Sequence, residues 1–160
     1  MQMLGVLEHR DVALRAVSAA CKLVSRRPQR IDLSEFRTQV VSAVGEAFNN
    51  IVLHGYAGRD DGVIELDIET APGRIKVELR DYGESFDLDA IPVPDLELLP
   101  ESGLGIFIIK AFMHIRYRPG SPNVLILTKS VVPDRSAGAS PNPSEDDSAS
   151  ATPNPSEGDS

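Results

Sequence analysis

Two stretches of this chain alternate strictly between apolar and polar positions. Ile64, Leu66 and Ile68 interleave with Glu65, Asp67 and Glu69, and Ile75, Val77 and Leu79 interleave with Lys76, Glu78 and Arg80. A period of two is that of a strand with one buried and one wet face. Ala71-Pro72-Gly73 between them has turn composition, so the two strands are expected to pair antiparallel. A one-sided sheet needs a cover, and the preceding segments have helical period. Phe36, Val40, Val44, Phe48, Ile51 and Val52 recur at threes and fours. They predict a helix from a cap at Ser34 to about Gly55. Residues 8–26 read as an earlier helix, with Val12, Ala16, Ala19, Ala20 and Leu23 at helical spacing and Arg26-Arg27-Pro28 at its end.

Beyond the hairpin, residues 84–102 carry Pro92, Pro94 and Pro100 and little pattern, and read as a long connection carrying a lid. Helical character resumes from Leu104 to about Met113. Strands are expected at Ile115–Arg118 and Val124–Lys129, joined by Pro119-Gly120-Ser121-Pro122-Asn123. The sum is an α/β two-layer sandwich: two or three helices on one face of a mixed, mostly antiparallel sheet. Pattern ends near Val132. Residues 1–132 are therefore one expected domain, and 133–160 an acidic Pro/Ser-rich tail expected to be disordered. Within that tail Pro141-Asn142-Pro143-Ser144-Glu145 returns as Pro153-Asn154-Pro155-Ser156-Glu157. It reads as a solubilising tail, with a partner motif present twice as the alternative.

Composition narrows the partners. The formal net charge is −8, of which −5 lies from residue 133 onward and −3 before it. Phosphate neutralisation needs clustered Lys and Arg, so direct binding of DNA or RNA is disfavoured. Only Cys21 is present, which excludes an intramolecular disulfide, and its apolar helical setting reads as core. One Cys and three scattered His give no zinc spacing. No apolar run approaches the roughly 20 residues that span a bilayer, and charges at Glu8, Arg10 and Asp11 interrupt any signal-like run. The expected location is cytoplasmic.

Three short motifs carry candidate chemistry. Glu46 and Asn50 are four apart on the second helix, so both side chains share one face. An amide oxygen is a hard ligand suited to Mg²⁺, and a carboxylate one turn away can orient or deprotonate a hydroxyl. Gly45 beside them costs roughly 1 kcal/mol relative to Ala, which the fold tolerates or a close approach requires. Asp81 ends the second strand and Gly83 follows, so a carboxylate is placed to accept from an exocyclic amine such as adenine's, over a backbone free to turn. Ser102-Gly103-Leu104-Gly105 opens a helix after the proline-rich stretch, and free amides at a helix start suit phosphate. Taken alone, each has an ordinary explanation: a polar helix face, an Asp-x-Gly turn, a loop-to-helix junction. Their order along the chain is the stronger signal.

With these residues in place the chain resembles the GHKL (Bergerat-fold) ATPases. Residues 46–50 look like the N box, 81–87 like the first glycine box and 102–107 like the second. The resemblance is closer still to the anti-sigma-factor serine kinases of the RsbW and SpoIIAB type, with Glu46, Ala47, Asn50, His54 and Tyr56 matching the N box and Phe86-Asp87 the end of the first glycine box. It covers nearly all of residues 8–131. The resemblance implies ATP and Mg²⁺ as cofactors, Asn50 on the metal and Glu46 as catalytic base. It also implies Asp81 on the adenine amine, with Gly83, Phe86, Ser102, Gly103, Leu104 and Gly105 around the nucleotide. It implies further that the chain is a serine/threonine protein kinase of a partner switch. Such a kinase inhibits a sigma factor or similar regulator and phosphorylates its STAS-domain antagonist; family members are often homodimers. A nucleotide-gated binding module without useful transfer is the alternative, and a scaffold that binds no nucleotide a third reading.

Overall fold

The computed structural model of the chain describes residues 1–24, 33–57, 59–86 and 104–131. The hairpin forms as the alternation requires: β2 (Val63–Ala71) pairs antiparallel with β3 (Arg74–Asp81), Ile64 opposite Asp81 and Ala71 opposite Arg74. The turn is the two residues Pro72 and Gly73. Gly73 has φ of 75°, the left-handed region glycine enters without penalty. β4 (His114–Arg118) and β5 (Asn123–Ser130) form the second hairpin, and β5 docks antiparallel along β3. A further strand, β1 (Gln2–Leu4), which the pattern does not predict, pairs with β2. The sheet order is β1-β2-β3-β5-β4, and every pairing is antiparallel.

Three helices cover one face. α1 (Leu7–Cys21), α2 (Leu33–Asn50) and α3 (Leu104–Phe112) bury a shared core against Ile64, Leu66, Ile75, Val77, Leu79, Leu125 and Leu127. α2 follows its predicted stripe, with Phe36, Val40, Val44, Phe48 and Ile51 buried and Val52 partly so. Ser34, expected as its cap, lies instead inside the first turn. α1 ends at Cys21 rather than 26, and its buried face is rotated from the predicted one. Ala13, Val17, Cys21 and Val24 are buried, while Val12 and Leu23 are exposed. Ala13, Ala16, Ala19 and Ala20 fall between its larger apolar residues, so apolar positions lie all round the helix and the stripe is ambiguous. Cys21 is buried as expected, and desolvation pushes its thiol pKa up.

The opposite face of the sheet is polar. Arg80 reaches Glu65 at 3.5 Å, Asp67 at 2.9 Å and Glu78 at 2.5 Å, and Lys76 reaches Glu69 at 2.7 Å. The exposed pairs among these contribute little each, but together with the buried Glu78 they make this face polar and so fix which side the helices cover. On the covered side, Lys129 donates to the Phe112 carbonyl at 2.7 Å, satisfying a free acceptor at the C-terminus of α3.

α2 does not stop at Asn50. It continues as one π-helical turn, Ile51–Gly55, closed by the Tyr56 N–H on the Ile51 carbonyl at 2.9 Å. Tyr56 then locks this end to the sheet. Its buried hydroxyl donates to the Val63 carbonyl at 2.6 Å and accepts from the N–H groups of Val63 at 3.2 Å and Tyr82 at 2.7 Å. Its ring leaves no space for a Cβ at Gly62, which would stand 2.5 Å from it. Tyr56→Phe strands three polar backbone groups at once. It should lower the unfolding free energy by about 1–3 kcal/mol, read from the urea midpoint at unchanged slope. An unmoved midpoint would contradict this role.

Candidate functional site

Two of the three motifs meet directly. Glu46 and Asn50 project from the last turns of α2 toward the first turn of α3. A Cβ built on Gly105 would lie 3.0 Å from Glu46 Oε2 and 3.4 Å from Asn50 Oδ1. Glycine at 105 therefore keeps the start of α3 close to this carboxylate and amide without pressing on them. Neither side chain makes a hydrogen bond or ion pair among the described residues, and both are half-buried. Polar groups held side by side and left without partners are available to a ligand. Leu104 opens α3, whose first N–H groups have no partner within the helix. Ser102, Gly103 and the lid connection from residue 87 lie outside the described residues.

The close approach at Gly45 has a different origin. The Arg10 guanidinium of α1 lies over it, its Nη2 2.7 Å from where a Cβ would be, and Nε approaches the Gly45 carbonyl at 3.5 Å. Gly45 thus serves the α1–α2 contact.

Asp81 stands at the other end of the π-helical turn. Its inward phase follows from Ile75, Val77 and Leu79 on the same strand, so it is buried under the helix layer. Oδ1 accepts from the Gly83 N–H at 3.0 Å and from Asn123 Nδ2 at 3.0 Å. Oδ2 has no partner, yet no buried side-chain oxygen of the described residues is unsatisfied, so Oδ2 retains access from outside. Desolvation pushes the Asp81 pKa up, and the bonds from Asn123 and Gly83 hold it back. Gly55 ends the turn 3.6 Å from Asp81 Oδ1, measured at its Cβ position. The π-helical turn Ile51–Gly55 therefore separates Asn50 from the Asp81 contact.

Gly83 is required by packing. A Cβ there would overlap the Gly55 carbonyl oxygen, and the neighbouring Glu84 N–H donates to that oxygen at 2.9 Å. The segment then runs toward β4. Phe86 stacks on Tyr117 with ring centroids 4.1 Å apart, and its N–H points to the Tyr117 hydroxyl at 3.4 Å. Phe86, expected beside the nucleotide, is thus anchored by a ring of the protein itself.

Asn123 is the functional candidate that the sequence does not reveal, because by position it reads as the last residue of a turn. It sits directly opposite Asp81 in the β3–β5 register. Its phase with Leu125 and Leu127 was the available signal: a polar residue on the apolar face of a strand. Gly83→Ala should unfold the chain or cost more than about 3 kcal/mol, since backbone, not a side-chain end, must move. Asp81→Asn behaves oppositely. Because the folded pKa is raised, native Asp81 favours stability at low pH and loses it as pH climbs through the raised value. The amide variant should therefore be at least as stable as the parent at pH 7 and lack this slope. Calorimetric scans across pH 3–7 check both points, and a clear destabilisation at pH 7 would contradict them.

A model of the histidine kinase-like ATPase domain matches residues 11–129. An anti-sigma F factor of Clostridium botulinum (strain Eklund 17B) is 30% identical over 117 residues, covering 71% of this chain and 79% of that protein. The serine-protein kinase RsbW of Staphylococcus epidermidis is 40% identical over 80 residues, covering 44% of this chain and 50% of that protein. Among solved structures, the blue-light activated histidine kinase of Erythrobacter litoralis EL346 aligns with a TM-score of 0.49 at 17% identity, covering 76% of this chain and 41% of that one. The matched span takes in α2, α3, β2, β3 and β4 and most of α1 and β5, and on it the chain belongs to the histidine kinase-like ATPase domain family.

Proposed function

We propose that this chain is an ATP-dependent serine/threonine protein kinase of a partner switch, which inhibits a sigma factor or similar regulator and phosphorylates its STAS-domain antagonist. The observation that carries the reading is the unpartnered pair Glu46 and Asn50 against Gly105, with the open oxygen of Asp81 about one helical turn further on. The names of the relatives, anti-sigma F factor and serine-protein kinase RsbW, support the same activity.

Each residue takes a role its surroundings allow. Asp81 Oδ2 accepts from the 6-amino group of adenine. Asn50 offers one amide oxygen, which fits Mg²⁺, an ion that keeps most of its waters and takes few protein ligands. Bound there, the ion would neutralise charge on the phosphate oxygens. The N–H groups opening α3 donate to the phosphate oxygens. Glu46 receives the proton of the partner's serine hydroxyl as that oxygen bonds to the γ-phosphorus and the bond to the β-phosphate oxygen breaks, leaving ADP. No helix among the described residues is long and apolar enough to cross a membrane.

The test is a mixture of the chain, Mg²⁺-ATP and a STAS-domain partner, with phosphoserine read by mass spectrometry. Transfer should occur and should fall about 10²- to 10⁴-fold in Glu46→Ala while ATP still binds. If ATP binds and no phosphate is transferred by the parent, the kinase reading fails. A parent without transfer whose regulator binding still responds to ATP would be a nucleotide-gated binding module.

A further inference from the structure

Every valence of the Asn123 side chain is used. Nδ2 donates to Asp81 Oδ1 at 3.0 Å and to the Gly83 carbonyl at 3.0 Å. Oδ1 accepts from the Gly120 N–H at 3.0 Å and the Ser85 hydroxyl at 2.5 Å. The residue is 1% exposed. An amide's two ends are normally hard to tell apart, but here the network decides. A backbone N–H can only donate and a backbone carbonyl can only accept, so Gly120 and Gly83 hold the amide in one orientation. That orientation presents an N–H to Asp81 and nothing else.

We propose that Asn123 is a positioning residue that sets the site's selectivity for a 6-aminopurine, by occupying Oδ1 of Asp81 and leaving Oδ2 for the base. The inference rests on the nucleotide reading above and deepens it. Without Asn123 the Gly83 N–H alone would hold Oδ1, and a carboxylate held by one donor turns more readily about its terminal bond or takes up a proton, presenting a donor where the amine needs an acceptor. With Oδ1 held by two donors, the open oxygen is an acceptor in a fixed direction. An amine can bind it, whereas the 6-oxo group of guanine meets a like partner. The residue touches no part of the nucleotide. It acts only through Asp81 and the Gly83 carbonyl.

The readout is a ratio that plain loss of stability does not move. Full-length chain is titrated by calorimetry with ATP, GTP and purine riboside triphosphate, which lacks the 6-amino group. The parent should favour ATP over the 6-unsubstituted purine at least tenfold, because a buried acceptor is left unpaired by the latter. Asn123→Ala should bring that ratio close to one, with the affinity for purine riboside triphosphate little changed. Asn123→Asp, the isosteric variant, should do the same, since it sets a second acceptor against Asp81 Oδ1. Equal losses for both nucleotides, at an unchanged ratio, would overturn the inference while leaving the nucleotide reading intact. A parent that binds none of the three would instead overturn that reading. If both variants unfold, the parent decides. The Asn123 side-chain amide resonances should shift with ATP and not with purine riboside triphosphate, and identical shifts with both would overturn the proposal.

Discussion

A carboxylate buried beneath a helix end is costly unless donors meet it, and Asp81 is held by two. That constraint organises half the molecule. It requires β5 to run beside β3 in the register that puts Asn123 opposite Asp81. It requires Gly83, because the donor N–H comes from a chain pressed on the Gly55 carbonyl. It also requires the end of α2 to widen into a π-helical turn, whose last residue meets the Asp-x-Gly segment. Single π turns of this kind recur at functional sites. Here the turn carries the helix from the Asn50 end of the site to the Asp81 end.

The other half is organised by a small residue. Gly105 lets α3 start within contact of Glu46 and Asn50, and the two side chains stay unpartnered. A protein that only needed stability would pair or expel them. Left without partners they are available to a ligand, while Phe48 of α2 and Ile106 and Ile109 of α3 are buried in the core. Tyr56 secures the junction from the sheet side by three hydrogen bonds from one hydroxyl.

Much of this was legible along the chain. The alternation of Ile64 to Ile68 and Ile75 to Leu79 determines the sheet's buried face, and Phe36 to Ile51 determines that of α2. The spacing of Glu46 and Asn50 places them on one helix face, and only the fold brings Gly105 against them. What was not legible depended on pairing. β1 has three residues, too few for a period, and exists because β2 offers it an edge. The stripe of α1 is ambiguous because small apolar residues surround it. Gly83 was expected to make room beneath a base, whereas its space is taken by Gly55. Asn123 reads as a turn residue until the β3–β5 register is known, and Phe86 gives no hint of its ring partner Tyr117.

The central claim is that Asp81 and Asn50 grip opposite ends of one nucleotide. The most direct measurement is a crystal structure of the chain with Mg²⁺ and a non-hydrolysable ATP analogue. The account predicts the adenine amine about 3 Å from Asp81 Oδ2 and the metal on Asn50 Oδ1. A nucleotide bound elsewhere, or one whose base lies away from Asp81 while its phosphates miss Asn50, would contradict it.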